Sequence, residues 1–213
     1  MKYEEALRLL GGHGFFDLAS LVQLTDERRE TVQTQLYRWC RKGKLIPLRR
    51  GMYAFAEPYI SQPINPAELA NHLYRPSYLS TYWALGYYGL IPERVVIHTS
   101  ISSRVTRRFE NAFGVFTYRH VKAAAFFGYR PVQIDRQSVL LAEPEKALLD
   151  LWYLESGDWT MDRLREMRFD HLELVDFARL QEYAKRFASR RIIDITNRWP
   201  LLRGAEDEGT IQL

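Results

Sequence analysis

The chain has 213 residues, of which 46% are hydrophobic and 26% charged, and its formal net charge is +4. This composition is typical of a folded globular protein of one or two domains and excludes a largely disordered one. No run approaches the roughly 20 apolar residues of a membrane-spanning helix. The acidic N-terminal segment does not resemble a signal peptide, and Cys40 is the single cysteine, which excludes an internal disulfide. We expect a cytoplasmic protein.

Positive charge is concentrated in residues 28–50. Eight basic residues stand there against one acid, Glu30, whereas the segment 155–176 is acidic. A basic block beside a neutral or acidic remainder indicates a module that binds a polyanion. A solvated helix face with unpaired arginines is the alternative interpretation.

Three helices are predicted before residue 43. Apolar residues at helical spacing indicate a first helix over 3–10 and a second over 15–22. Thr25 is expected to N-cap a third helix that runs to about Arg41 and stops at Gly43. Its inward stripe should consist of Val32, Leu36, Trp39 and Cys40.

A β-hairpin is predicted directly after the third helix. Short apolar runs over 45–48 and 52–55 flank the basic turn Arg49-Arg50-Gly51. Three helices followed by a hairpin with a basic tip is the order of a winged helix-turn-helix, which we place at residues 1–60. A winged helix that only docks other proteins is the alternative.

The expected partner of this N-terminal domain is double-stranded DNA. Side chains near the start of a recognition helix can bond base edges in the major groove. Thr31, Thr34, Arg38 and Arg41 are expected on the side of the third helix opposite the apolar stripe, and Gln33 flanks the helix start with Arg28 and Arg29. The candidates for base recognition are Thr31, Gln33, Thr34 and Arg38. Phosphate contacts are expected from Arg28, Arg29, Arg41, Lys42 and the two wing residues Arg49 and Arg50.

Residues 65–202 are predicted to form a mixed α/β domain with a small sheet and a helical C-terminus, so the fold class is α+β. A linker over 56–64 precedes it, and 203–213 is expected to be a frayed tail. Helices are predicted over 65–74, 80–88 and 144–154, with mainly helical structure over 160–199. Strands are expected over 95–99, 105–110, 115–121, 132–134 and 138–142.

No catalytic or metal-binding spacing stands out in the chain, and the five histidines are dispersed. We therefore expect no catalytic activity, no cofactor and no metal. A second basic surface is predicted at Arg104, Arg107, Arg108 and Arg119, with an exposed, solubilising strand edge as the equal alternative. The basic cluster Lys185, Arg186, Arg190, Arg191, Arg198 and Arg203 either extends the DNA footprint, binds an acidic partner or is ordinary solvated surface.

Several segments resemble the AbiEi family of type IV toxin–antitoxin antitoxins, which are also transcriptional regulators. The segment 45–54, LIPLRRGMYA, is similar to the wing of that family, although many winged helices share it. More specific are YLSTYWALGYYGLIPE at 78–93, TRRFENAFGVFTYRH at 106–120 and AEPEKALLD at 142–150, which resemble the antitoxin domain in order and spacing. Ala112 departs from the pattern, since many relatives have proline there.

The resemblance implies a protein that represses its own operon by binding inverted repeats. It also implies that the second domain counteracts a nucleotidyltransferase-like toxin, without requiring a stable complex with it. The residues themselves indicate only DNA binding and an α/β domain of unassigned function.

Two other functions stay open from the residues alone. A nucleotide- or phosphate-acting enzyme that uses the winged helix for targeting would rely on Arg107, Arg108, Glu143, Glu145 and Lys146. A ligand-responsive regulator would line an effector pocket with the aromatic-rich segment 74–88. Turnover of nucleotides with a divalent metal would favour the enzyme, and ligand-dependent release of DNA would favour the sensor.

Overall fold

A computed structural model describes residues 1–57, 59–60 and 63–202, apart from the side chain of His13. These residues form α-helices and two β-sheets, an α+β arrangement. The predicted tail over 203–213 lies outside the described residues, and so do positions 58, 61 and 62 of the predicted linker.

The first sheet belongs to an N-terminal unit made of helices and short strands. Its elements are α1 (Tyr3–Leu10), a 3₁₀ turn (Gly11–His13), β1 (Phe15–Asp17), α2 (Leu18–Gln23), α3 (Arg29–Arg41), β2 (Leu45–Arg49) and β3 (Met52–Phe55). The strand order is β1-β3-β2, with both pairs antiparallel. The predicted hairpin is confirmed, and so is the first helix.

Two boundaries in this unit were predicted wrongly. Phe15 and Phe16 form β1 instead of opening α2. Both side chains are buried, and both residues pair with β3. A strand of three residues is too short to show an alternating pattern. The helix α3 starts at Arg29 and not after Thr25, whose Oγ1 accepts a hydrogen bond from the Glu27 backbone N–H at 3.2 Å. That local turn competes with a helix start.

The inward face of α3 is confirmed. Val32 and Leu36 are fully buried in a cluster with Leu21 and Phe16, and Trp39 and Cys40 pack against the same cluster. Burial raises the pKa of the Cys40 thiol, which disfavours the reactive thiolate. On the opposite side of α3, Thr34, Arg38 and Arg41 are exposed to solvent.

The second unit is built on a six-stranded mixed sheet, larger than the small sheet that was predicted. Its strands are β4 (Ser77–Leu79), β5 (Ile97–Ser102), β6 (Arg107–Asn111), β7 (Gly114–His120), β8 (Tyr129–Ile134) and β9 (Gln137–Ala142). The order is β6-β7-β5-β4-β9-β8, in which β5–β7 and β4–β9 are parallel pairs. The helices are α4 (Pro66–Leu73), α5 (Thr81–Tyr87), α6 (Pro144–Leu154), α7 (Met161–Glu166), α8 (Phe177–Arg186) and α9 (Arg190–Thr196).

The helices predicted around 65–74, 80–88 and 144–154 are confirmed, and α4 is capped by Asn65, whose side chain accepts from the Ala67 N–H at 2.8 Å. The strand β4 was missed because it has only three residues. The strand predicted over 95–99 lies at Ile97–Ser102. It continues past the apolar run because residues 100–102 pair with β4 and with β7, and the buried Ser102 hydroxyl donates to the Pro76 carbonyl at 2.8 Å.

The two units pack directly on each other. Phe15, Leu48 and Met52 of the N-terminal unit belong to the same continuous hydrophobic cluster as the core of the second unit. The Asn111 side chain at the end of β6 also donates to the Leu48 carbonyl of β2 at 3.3 Å. The hairpin β2–β3 is therefore seated on β6.

A buried polar cluster connects β4 to α6. The fully buried Lys146 pairs with Asp150, one turn further along α6, and donates to the Tyr78 hydroxyl at 2.8 Å. Asp150 also accepts from Ser80 Oγ at 2.7 Å and from the Tyr78 hydroxyl at 3.1 Å. Burial lowers the pKa of Lys146 and raises that of Asp150, so the contacts that favour both charged forms have to offset the loss of hydration.

We expect Lys146→Met to lower the free energy of unfolding by about 3–5 kcal/mol, since it leaves the Asp150 carboxyl buried without its cation. Lys146→Met combined with Asp150→Leu should cost less than the single change, because the second substitution removes the unpaired group. Urea unfolding measures both. The exposed Lys185→Met should stay within about 0.5 kcal/mol of the parent. Equal losses in the single and double variants would contradict this interpretation.

Candidate nucleic-acid interface

A groove of about 540 Å³ lies between the start of α3 and the β2–β3 hairpin. Gly51 allows the tight turn at the hairpin tip, where its φ of 74° suits glycine. The turn places basic side chains of the hairpin opposite polar side chains of α3. Four predicted DNA contacts line the groove: Arg29, Gln33, Arg49 and Arg50.

The predicted contacts are accessible. Arg49 is half-buried, and the other nine are exposed: Arg28, Arg29, Thr31, Gln33, Thr34, Arg38, Arg41, Lys42 and Arg50. Within the described part of the chain, none of the seven basic members has a carboxylate oxygen within 4.0 Å. Their charges are therefore available to an external anion.

The four candidates for base recognition do not share one face of α3. At about 100° per residue, Thr31 lies roughly 160° and Arg38 roughly 140° around the helix from Gln33. The hydroxyl of Thr34 donates to the Glu30 carbonyl at 2.9 Å, so its proton is already used within the helix. Gln33 lines the groove, and among the four it is the best placed to read a base.

Asp17 is the acidic side chain that lines this groove. It caps α2 by accepting the Ser20 backbone N–H at 2.7 Å. Burial raises the pKa of Asp17, but the Ser20 hydrogen bonds and the charge of Arg49 outweigh burial, and the net shift is downward. Asp17 is therefore ionised at neutral pH and partly balances Arg49.

Arg49 is held by its own hairpin. Its Nη1 donates to the Arg50 carbonyl at 3.0 Å. Its Nε is buried and has no hydrogen-bond partner among the described residues. A guanidinium carries five N–H donors, so Arg49 keeps donors for a ligand.

Tyr37 is an interface candidate that the sequence interpretation missed. It lies on α3 one turn after Gln33, and 64% of its surface is exposed. The spacing of four residues from Gln33 places both side chains on one side of the helix. That spacing was visible in the sequence. Conversely, Lys44 belongs to the basic block but packs over the Tyr3 ring at 4.3 Å, away from the interface.

The predicted second basic surface is not a single patch. Arg107 pairs with Tyr118 and Arg108 with Thr117, and neighbouring residues of a strand point to opposite faces of the sheet. Arg108 forms an ion pair with Glu110 at 2.9 Å. Of the other two predicted members, Arg119 donates to the Leu154 carbonyl and Arg104 lies over the Tyr74 ring at 4.4 Å.

The residues of the enzyme alternative are not brought together. The strand β6 carries Arg107 and Arg108, and three strands separate it from β9, which precedes Glu143. At about 4.8 Å per strand step, the distance is roughly 19 Å. Glu143 accepts from the Tyr183 hydroxyl at 2.6 Å, and Lys146 is held in the buried cluster.

Glu145, the last of these residues, is also buried. It accepts the Asp176 backbone N–H at 2.8 Å, and burial raises its pKa. The described residues contain no group of three or more His, Cys, Asp or Glu side chains able to hold a metal ion.

The aromatic segment 74–88 mainly supplies core. Tyr78 is fully buried and stacks on Tyr129 with ring centroids 4.4 Å apart. Tyr88 donates its hydroxyl proton to the Ala142 carbonyl at 2.9 Å. Tyr78 and Tyr88 therefore stabilise the second unit, whereas Tyr74, at the start of the segment, lines a cavity between the two units.

The C-terminal basic cluster is partly structural. Arg191 donates to the carbonyls of Tyr153, Glu155 and Gly157 at 3.1–3.2 Å, at the end of α6. Arg198 donates to the Trp159 carbonyl, and Arg203 lies outside the described residues.

None of the helices in the described part of the chain has the length and apolar character needed to span a membrane.

No family model matches the chain, and no curated protein matches its sequence. The resemblance to the AbiEi antitoxins therefore rests on the segments quoted above.

Proposed function

We propose that the protein is a DNA-binding transcriptional regulator whose N-terminal unit is a winged helix-turn-helix. The observation that carries this proposal is the groove where Arg29 and Gln33 of α3 face Arg49 and Arg50 of the hairpin. In this assignment α2 and α3 are the helix-turn-helix, and the hairpin is the wing. The major groove of B-DNA, about 12 Å wide, admits a helix such as α3.

The proposed contacts divide by chemistry. The Gln33 amide can form the two hydrogen bonds that select adenine at its N6 and N7 atoms. Arg29, Arg49 and Arg50 neutralise backbone phosphates and carry affinity more than sequence information. Because Asn111 ties the wing to β6, the spacing between wing and α3 is set before DNA binds.

We further propose that this regulator is a cytoplasmic antitoxin of the AbiEi type. It would bind inverted repeats to repress its own operon, counteract a nucleotidyltransferase-like toxin and have no catalytic activity of its own. The support is the resemblance of 78–93, 106–120 and 142–150. These segments contribute to β4, α5, the β6–β7 hairpin and α6, so they cover the framework of the second unit and not one loop.

Gln33→Ala is expected to lower the preference for the operator over random duplex by about 1–3 kcal/mol, because one base loses its paired hydrogen bonds. Fluorescence anisotropy with both duplexes measures the preference. Gln133→Ala changes an exposed glutamine of β8 and should leave the preference unchanged. If Gln33→Ala binds both duplexes as the parent does, the assignment of Gln33 to base recognition is wrong.

Replacing both Arg49 and Arg50 by alanine should weaken binding to every duplex similarly. It should also reduce the slope of log Kobs against log salt concentration by about 2, since each lost phosphate contact removes roughly 0.9. A salt titration by anisotropy gives the slope. Replacing both Arg130 and Arg136 by alanine, at exposed positions of the β8–β9 hairpin on the far edge of the sheet, serves as the control of equal charge change. A slope that does not move in the double variant would refute the wing contacts.

For the antitoxin proposal, we expect a neighbouring coding sequence to specify a nucleotidyltransferase-like protein that arrests bacterial growth when it is expressed alone. Co-expression of this chain should restore growth, because the second unit is proposed to counteract the toxin. Gln33→Ala should still restore growth when both proteins are expressed from foreign promoters. Persistent arrest with the folded parent protein would count against the antitoxin, while the DNA-binding measurements would stand unaffected.

A further inference from the structure

A second cavity, of about 710 Å³, lies where the two units meet. One wall comes from β1 and the β2–β3 hairpin, and the other from the end of α4 and the segment that leads into β6. Volumes of this size are typical of sites for small ligands. The cavity is separate from the Lys146 cluster, none of whose members lines it.

The walls of this cavity carry an excess of positive charge. Arg49 and Arg50 come from the hairpin, and Arg75 and Arg104 come from the second unit. Asp17 is the one acidic residue among the described lining residues, which leaves an excess of three positive charges among them. Within the described residues, none of the four guanidinium groups has a carboxylate oxygen within 4.0 Å. An anion would therefore complete the charge balance.

The arginines of the second unit are held in place by neighbours. Arg104 Nη1 donates to the Arg75 carbonyl at 3.0 Å, and the Arg104 guanidinium lies over the Tyr74 ring at 4.4 Å. The Arg75 Nη2 lies 2.7 Å from the His72 ring nitrogen Nδ1. Each of these contacts uses only part of the five donors of a guanidinium. Planar, pre-positioned guanidinium groups with spare donors are suited to phosphate oxygens.

We propose that this cavity binds a small oligophosphate anion, of the class of the nucleoside di- and triphosphates, and that the bound anion opposes DNA binding. The coupling comes from Arg49 and Arg50, which line both this cavity and the groove beside α3. A phosphate that engages them in the cavity withdraws them from DNA phosphates. Each ligand must then weaken the other by the same factor. The coupling rests on the proposed DNA binding, whereas the anion site does not.

Isothermal titration of the full chain with inorganic tripolyphosphate and with ATP, in the absence of DNA, tests the site. We expect saturable binding that Arg75→Ala and Arg104→Ala each weaken by about tenfold or more, the usual effect of losing a charge-assisted hydrogen bond. Arg130→Ala removes an exposed charge from β8 and should bind as the parent does. Circular dichroism checks that each variant is folded. If Arg104→Ala does not fold, Arg75→Ala still tests the site, because Arg75 is exposed.

Lack of saturable binding by the folded parent would overturn the anion site, and so would an equal loss in Arg75→Ala and Arg130→Ala. Binding of tripolyphosphate by a protein that does not bind DNA would support the site and refute the proposed function instead. The two proposals therefore fail in different ways.

A second measurement distinguishes a free anion from the phosphates of DNA. At matched ionic strength, tripolyphosphate should weaken operator binding by the parent and have a much smaller effect on Arg75→Ala. Without the anion, Arg75→Ala should bind the operator as tightly as the parent. If Arg75→Ala instead loses operator affinity as Arg29→Ala does, the cavity receives DNA phosphates, and the proposal of a small-molecule site is wrong.

Discussion

The seating of the β2–β3 hairpin on β6 is the constraint on which the rest of this structure depends. Leu48 and Met52 of the hairpin are buried in the core that the second unit provides, and Asn111 binds the Leu48 carbonyl. A two-stranded hairpin is only marginally stable by itself in water. Packing against β6 therefore fixes the position of Arg49 and Arg50. These two residues line both the groove beside α3 and the cavity at the junction between the units.

Fixing the distance between the hairpin and α3 has a cost in charge. Packing the hairpin against the second unit leaves Arg49 half-buried, where a cation loses part of its hydration. Asp17, kept ionised by its role as the cap of α2, offsets some of that loss. The cap of one helix and the electrostatics of the proposed DNA groove are thus linked through a single carboxylate.

Much of the fold was predictable because its signals are local. The cap Asn65 with Pro66, the glycine at the hairpin tip and the apolar stripe of Val32 and Leu36 depend on neighbours in sequence, and each prediction is confirmed. The strands β1 and β4 were missed because three residues carry no periodicity. Their strand structure is imposed by partners distant in the chain, β3 for one and β5 and β9 for the other.

The candidate site was predictable in its charge and in four of its lining residues, but not in the contacts that select among the basic and polar side chains. Composition identified the basic block. It could not show that Lys44 packs over the Tyr3 ring or that the Thr34 hydroxyl donates to the Glu30 carbonyl. Helical spacing alone could have pointed to Tyr37, four residues after Gln33. The cavity at the junction could not have been predicted, since Arg75 and Arg104 lie far from Arg49 in sequence and meet it only through the packing of the units.

The edges of the large sheet have a consequence for self-association. The outer strand β6 is partly covered by the hairpin and carries Arg107, Arg108 and Glu110. The opposite outer strand, β8, contains Pro131, which has no backbone N–H to offer another strand. Charges and proline at sheet borders hinder the addition of strands from another molecule. If the proposed regulator binds an inverted repeat as a pair of subunits, these edges disfavour a subunit contact that extends the large sheet.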